Sequence, residues 1–438
     1  MRACLRVGVA AVVAALASPA VATAQPGLYL PGNGAVQGGM AGVSTAAPID
    51  ALGALYWNPA AIGRLGRNEV SIGGAFIYPD ISVSSSVPRP LLGGPQAGRT
   101  RSDSGFPLAS ALGVVYKSDP DSPLTYGLGL LSLGGGGVNF PGDPSNPVLS
   151  PTGAVDKTVL GPIYSSIQLY QLNPTVAYQV NDKLTVGLGP TIDITLPAFD
   201  PAFFAAPDRD GAGNLVFPTA THARPYWGGG FRVGAVYSVT DELDVGFGYT
   251  SPQWLERWKF DARTPDGQPR TLYLQAQLPA IYSWGVAWRG IDRLTLGVDL
   301  RYFDYKSADL FGTPVKEGGL GWDGAFVSAV GGNYQLTDRV AVRGGYQYNT
   351  NPLANTSTLF NVQAPAILQH TISVGSTVAL TDAVGLSLGY AYGFRNTITG
   401  TAREVPNADI SLAASSHSLL FNLQVKFGGW TRPEAAAE

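Results

Sequence analysis

The sequence predicts an all-β fold, a transmembrane antiparallel β-barrel of fourteen strands, and three observations point to it. Charged residues make up only 13% of the chain, roughly half of what soluble domains carry. No apolar run beyond the first 24 residues approaches the length of a membrane-spanning helix. Segments of alternating apolar and small or polar residues recur instead, separated by brief polar turns. Only helices and closed barrels satisfy every backbone polar group in hydrocarbon, so a chain this poor in charge and without a spanning helix reads as a barrel.

Arg2 and Arg6 precede an apolar run from Val7 to Ala17, and Ala22-Thr23-Ala24 supplies a small-x-small cleavage pattern, so residues 1–24 are predicted to be a signal peptide removed before Gln25. Ser18 and Pro19 break the run and argue against a membrane anchor. The single cysteine, Cys4, falls inside this segment. A mature chain without cysteine excludes disulfides and cysteine-ligated metal, and no cofactor or metal is expected. Loss of Arg2 and Arg6 takes the formal charge from −3 to −5, which leaves no basic excess for a nucleic-acid partner.

Residues 25–66 carry Gly32-Asn33-Gly34, Gly38-Gly39-Met40-Ala41-Gly42, Asp50 and Leu55-Tyr56-Trp57-Asn58-Pro59-Ala60. This stretch is too glycine-rich and aperiodic to be barrel wall. Glycine stands at 56 of 438 positions overall, roughly twice its usual share.

Five short turns then punctuate the chain: Asn181-Asp182-Lys183, Thr240-Asp241-Glu242, Ile291-Asp292-Arg293, Thr337-Asp338-Arg339 and Thr381-Asp382-Ala383. Each Asp is expected to bond its own backbone two residues on. A propeller would need four strands per interval, and only two fit. After each turn the alternation assigns faces. Leu243, Val245, Phe247 and Tyr249 oppose Asp244, Gly246, Gly248 and Thr250, while Leu294, Leu296, Val298, Leu300 and Tyr302 oppose Thr295, Gly297, Asp299 and Arg301. The outward faces end in tyrosine, as an interfacial girdle requires. By parity Arg232, Arg301, Arg343 and Lys426 face the lumen, as do Asp193, Asp244 and Asp299, and charges of both signs there are expected chiefly to neutralise one another.

The predicted strands cover 69–78, 107–116, 124–133, 167–180, 184–196, 226–239, 243–262, 270–289, 294–305, 324–336, 340–349, 369–380, 384–394 and 416–427. Residues 260–277 also suit an extra external hairpin. Six connections are short and seven long, matching periplasmic turns and external loops. The wall ends at Phe427, and residues 428–438 form a tail.

The segment ending in Trp57-Asn58-Pro59-Ala60 resembles the N-terminal hatch of the FadL family of outer-membrane transporters for long-chain fatty acids and aromatic hydrocarbons. Leu172-Asn173-Pro174-Thr175-Val176-Ala177-Tyr178, Tyr249-Thr250-Ser251-Pro252, Leu278-Pro279-Ala280-Ile281-Tyr282-Ser283-Trp284-Gly285, Val342-Arg343-Gly344-Gly345-Tyr346 and Leu388-Gly389-Tyr390-Ala391-Tyr392 extend the likeness. The chain departs from the family in having Trp57 where Tyr or Phe is usual and Ala61 where Gly is usual.

The resemblance implies a fourteen-stranded barrel over 67–427 plugged by a hatch over 25–66, acting in the bacterial outer membrane as a passive, hatch-gated channel for hydrophobic small molecules. Trp57, Asn58, Pro59 and Ala60 would gate it. Phe199, Phe203 and Phe204, with Trp254, Leu255 and Trp258, would form an external capture groove, or else merely pack to close the mouth. Arg343 is the candidate partner for a fatty carboxylate. Gly134, Gly135, Gly136 and Gly137 would kink the third strand and open the wall sideways, unless they form a loop tether. Expected partners are the hydrophobic substrate, outer-membrane lipid and lipopolysaccharide, and the barrel-assembly machinery, with the barrel working as a monomer. A hydrolase would need a convergent nucleophile and base, which His222, His370 and His417 with Ser416 and Ser418 do not supply, so no enzyme is expected. A general porin or adhesin would not need the plug.

Overall fold

The computed structural model describes residues 26–87, 96–151, 157–221, 224–401 and 409–429. The predicted signal segment, His222 and the tail beyond Gly429 lie outside the described residues.

Fourteen antiparallel strands close into a barrel, the number that the alternation predicts. They are β1 Arg67–Val87, β2 Leu108–Tyr116, β3 Leu124–Phe140, β4 Ile163–Gln179, β5 Leu184–Asp200, β6 Tyr226–Ser238 and β7 Leu243–Thr250. The second half comprises β8 Ala280–Ile291, β9 Leu294–Asp304, β10 Ala325–Thr337, β11 Val340–Asn349, β12 His370–Ala379, β13 Val384–Thr401 and β14 Asp409–Gly429. Each pairs with its chain neighbours, and β1 pairs with β14 from Arg67↔Gly429 to Ser86↔Asp409, so the sheet closes on itself.

The faces follow the predicted parity. Val245, Phe247, Val298 and Leu300 lie outward and exposed, whereas Asp244, Thr250, Asp299 and Arg301 are buried in the lumen. Tyrosines, histidines and other rings gather toward the external end of the outer face, with the Tyr346 and Tyr390 hydroxyls 2.6 Å from His370 Nδ1 and His417 Nδ1. Both histidines therefore belong to the girdle and not to a buried catalytic group.

Three expectations need correction. In four of the five turns the residue before the Asp does the bonding: Asn181 Oδ1 accepts from Lys183 N and Leu184 N, and the Thr240, Thr337 and Thr381 hydroxyls each accept from the backbone two and three residues on. Position one of such a turn already points its oxygen at those N–H groups, which leaves the Asp carboxylate to solvent. Second, residues 258–274 are not wall but an external hairpin, Trp258–Arg263 against Pro269–Leu274. Pro252 and Pro279 cannot donate to a ladder and interrupt β7 and β8 at the membrane edge. Third, β1, β3, β13 and β14 run well beyond their predicted ends, and Gln96–Arg101 pairs with the outer part of β1. These extensions, such as Ser82 to Ser86, lack apolar alternation because they stand outside lipid.

Residues 26–66 fill the lumen. They form α1 Gly34–Gly38, α2 Ala51–Tyr56 and a 3-10 turn Pro59–Arg64, with Asp50 Oδ1 capping α2 through Gly53 N at 2.9 Å and Asn58 Oδ1 accepting from Ala60 N at 3.0 Å. The inner wall receives this segment on glycines. A Cβ at Gly187 would stand 2.4 Å from Ala60 N, one at Gly248 2.4 Å from Trp57 O, and one at Gly345 2.4 Å from Met40 C. Backbone meets backbone there, and the high glycine count has its physical reason. Gly345→Val should therefore overpack the hatch by about 1–3 kcal/mol and displace it while the wall persists. Planar-bilayer recording should show a new steady conductance from a barrel that still migrates as folded on unboiled gels; a sealed Gly345→Val barrel would refute this fit.

Candidate functional site

Three features line up along the lumen: an apolar mouth, an aromatic column and a break in the wall. At the mouth, a cavity of about 80 Å³ is lined by Phe199, Phe203, Phe204, Leu274, Leu310 and Phe360 among others. A neighbouring one of about 50 Å³ shares Phe203 and Phe360 and adds Phe217 and Leu359. Phe199 stands 5.7 Å from Phe204 and 6.4 Å from Trp258, ring centre to ring centre. Trp258 is buried and donates from Nε1 to Thr195 Oγ1 at 3.1 Å. Leu255 is buried against Gly228. Trp254 lies elsewhere, on the outer face and 55% exposed. The pieces are held from outside by Arg224, which grips both Glu256 carboxylate oxygens at 2.9 and 2.8 Å and thereby keeps that carboxyl below its usual range.

Below the mouth, rings step inward. Trp322 lies 5.0 Å from Tyr305, Tyr305 6.1 Å from Phe303, Phe303 6.0 Å from Trp57 and Trp57 4.3 Å from Tyr56. Tyr29 joins at 5.3 Å from Phe303. Phe303 and Tyr305 were not among the residues expected to form the site. The parity that sends Tyr302 outward also turns Phe303 inward, so that signal was present.

The hatch is tied to this column and to the wall by polar contacts that replace water. Tyr305 Oη accepts from Leu28 N at 3.0 Å and donates to Pro26 O at 2.8 Å. Asp299 Oδ2 accepts from Ser44 N, Thr45 N and Thr45 Oγ1 at 3.0, 3.1 and 2.8 Å, and from Arg301. Arg301 also donates to Gly42 O and lies 4.4 Å over the Trp57 ring. Arg232 donates to Leu55 O and Tyr56 O. Asn58 Nδ2 reaches Thr45 O at 2.8 Å and Ala235 O on β6 at 3.1 Å. Pro59 and Ala60 are buried beside Gly187. Arg343 is buried lower down, donating to Thr377 Oγ1 at 2.7 Å while its Nε has no partner.

The break lies in β3. Its ladder with β2 runs from Tyr116↔Tyr126 to Ala111↔Leu131 and stops, although β2 continues to Leu108 and β3 to Phe140. Opposite β4 the register shifts between Ser132 and Gly134, and Gly134 and Gly135 take φ of 141° and 142°. Such angles suit glycine alone. The freed edge is met by the hatch: Leu30 N donates to Leu133 O at 2.8 Å and Gly135 N to Leu28 O at 2.9 Å. Asn33 Nδ2 and Tyr56 Oη add bonds to Ser132 O and Leu133 O, each at 3.1 Å. Gly134 to Gly137 are thus wall and not loop.

Asn58→Ala removes two donations and one acceptance at buried positions, a cost of about 2–4 kcal/mol. Protease cleavage within residues 26–66 should appear in that variant while the barrel stays intact. Equal protection of both proteins would refute a locking role for Asn58.

The comparisons with known proteins agree with this architecture. The family model described as outer membrane protein transport protein (OMPP1/FadL/TodX) matches residues 13–428. Among solved structures, the toluene transporter TodX of P. putida superposes with a TM-score of 0.68 at 16% identity, covering 91% of this chain and 99% of that one. A Pseudomonas aeruginosa FadL homologue gives 0.67 at 18% over 92% and 100%. The toluene transporter TbuX of Ralstonia pickettii gives 0.62 at 18% over 91% and 99%. At such identities these likenesses show the fold. No curated protein matches at the sequence level. A family match over nearly the whole chain, on a closed fourteen-strand barrel with its lumen filled from the N-terminus, means that this chain belongs to the OMPP1/FadL/TodX family of outer-membrane transport proteins.

Proposed function

We propose that the chain admits hydrophobic small molecules, such as long-chain fatty acids, at the apolar mouth and releases them sideways through the wall at β3. The observation that carries this reading is the interrupted β2–β3 ladder, whose free edge is covered by the hatch segment Leu28–Leu30 and not by wall. A greasy molecule crosses a water-filled pore poorly, and a route of ring contacts ending at a lipid-facing gap spares it that passage. Movement of the hatch around Trp57, Asn58, Pro59 and Ala60 would open the path, with no energy source required. The barrel acts as a single chain among outer-membrane lipid and lipopolysaccharide, delivered by the barrel-assembly machinery.

Aromatic hydrocarbons are the second reading. The small ring-lined cavities at the mouth favour it, as do the two similar structures described as toluene transporters. Arg343 separates the two. Its unpartnered Nε suits a carboxylate and offers nothing to toluene.

Two variants test the proposal in cells stripped of their own hydrophobic transporters. Gly135→Val, which would bring a Cβ 2.0 Å from Ile167 O, should lower uptake of every accepted substrate. Arg343→Met should lower radiolabelled oleate uptake about tenfold, the loss of one charge-assisted contact, and leave toluene uptake unchanged. Full uptake by Gly135→Val would reject the lateral route, and equal oleate uptake by Arg343→Met would reject the carboxylate role.

A further inference from the structure

On the outer surface, three arginines from two strands, Arg99 and Arg101 on Gln96–Arg101 and Arg395 on β13, converge across β14 and β1 on one carboxylate and one hydroxyl. Arg101 donates from Nε and Nη2 to Asp80 Oδ1 and Oδ2 at 3.2 and 3.0 Å, and Arg395 Nη1 reaches the same Oδ2 at 3.2 Å. Arg99 Nη2 and Arg395 Nη2 both donate to Ser82 Oγ, at 3.2 and 3.0 Å. Two guanidinium nitrogens bound to one oxygen lie within about 6 Å of each other. Three positive groups are thus gathered around a single negative one, an arrangement that like-charge repulsion disfavours unless a further anion joins it.

The backbone builds this cluster deliberately. The β13–β14 register shifts between Gly393 and Asn396, so Phe394 and Arg395 are both exposed. Without that bulge, strict alternation would turn Arg395 into the lumen. On the strand Gln96–Arg101, Arg99 and Arg101 are exposed and Thr100 is buried, while Ser82↔Arg101 pairing sets them beside β1. The Arg101 side chain is 73% exposed and available to a ligand.

Height on the barrel identifies the ligand. Tyr78, two residues below Asp80 on the same face, pairs with His417 and stacks on Phe106 at 5.6 Å, and Tyr392 packs on Phe394 at 5.0 Å. This is the external aromatic girdle, which marks the boundary between hydrocarbon and headgroups. The arginines stand immediately above it, at the level of outer-leaflet headgroups.

We propose that Arg99, Arg101 and Arg395 form a binding site for the phosphorylated sugar headgroup of an outer-leaflet glycolipid, the lipid A portion of lipopolysaccharide. A phosphomonoester brings a charge near −2 and three acceptor oxygens, matching the excess of two guanidinium groups over the one carboxylate. This names the lipid partner expected for the barrel and rests only on its place in the outer membrane. Failure of substrate uptake would leave the site standing, and failure of the site would leave uptake standing.

The test is binding of bisphosphorylated lipid A to the purified full chain in detergent, read by native mass spectrometry, against the same lipid after enzymatic dephosphorylation. Arg99→Gln/Arg101→Gln/Arg395→Gln and dephosphorylated lipid should each weaken binding about tenfold or more. Asp80→Asn, which removes the competing carboxylate, should tighten it. Arg101→Gln alone, at an exposed side chain, gives a smaller loss in a barrel whose folding is not in question. Wild-type affinity in the triple variant, indifference to the phosphates, or displacement by millimolar inorganic phosphate would each overturn the assignment to a lipid headgroup.

Discussion

Every backbone N–H and C=O that crosses hydrocarbon must find a partner inside the protein, because each one left unpaired costs several kcal/mol. That constraint closes the sheet at β1–β14 and leaves little freedom elsewhere in the wall. It also gives meaning to the interruption between β2 and β3. The β2–β3 ladder ends at Ala111↔Leu131, and the exposed edge of β3 is paired by Leu28 and Leu30 of the hatch instead of by β2. The hatch therefore supplies backbone partners that β2 does not, and under the proposed route a movement of the hatch would uncover that edge.

The lumen is built to hold the hatch firmly without welding it. Close approach rests on glycines such as Gly187, Gly248 and Gly345, which let backbone lie on backbone. Specificity of seating comes from Asp299, whose one oxygen accepts from Ser44, Thr45 and Arg301. Arg232 and Asn58 supply further donors to hatch carbonyls. The contacts are mostly hydrogen bonds worth about 1 kcal/mol each in net terms. Buried charge here serves positioning, since a buried pair such as Asp299–Arg301 adds little net stability.

Much of this was legible in the chain. Alternation with period two sorted Val298 from Asp299 and Leu300 from Arg301, because a barrel wall has lipid on one side and packed polar groups on the other. Strand ends beyond the membrane were not legible: Ser82 to Ser86 lie where neither face meets lipid, and alternation loses its cause. The hairpin at 258–274 misled for the opposite reason, since its Trp258, Phe260 and Leu272 are buried, the first two against the outer ends of β5 and β6, and imitate a wall strand. In the turns the Asp was the conspicuous residue, yet Thr240 and Thr337 carry the bonds. The contacts that seat the hatch were beyond reach, because Tyr305 and Leu28 stand 277 residues apart in the sequence.

The proposed route requires the hatch to move for a substrate to pass. The chain's single cysteine, Cys4, lies in the predicted signal segment, so a paired substitution at Ala47 and Gly297 gives a single tether between hatch and β9. Their Cβ atoms would stand 3.5 Å apart, at the near edge of disulfide range. Uptake of labelled oleate and toluene by the Ala47→Cys/Gly297→Cys barrel, oxidised and then reduced, is the measurement. A hatch that must move gives uptake that is lost on oxidation and restored by reductant; undiminished uptake through the tethered barrel would show that substrate passes a fixed hatch.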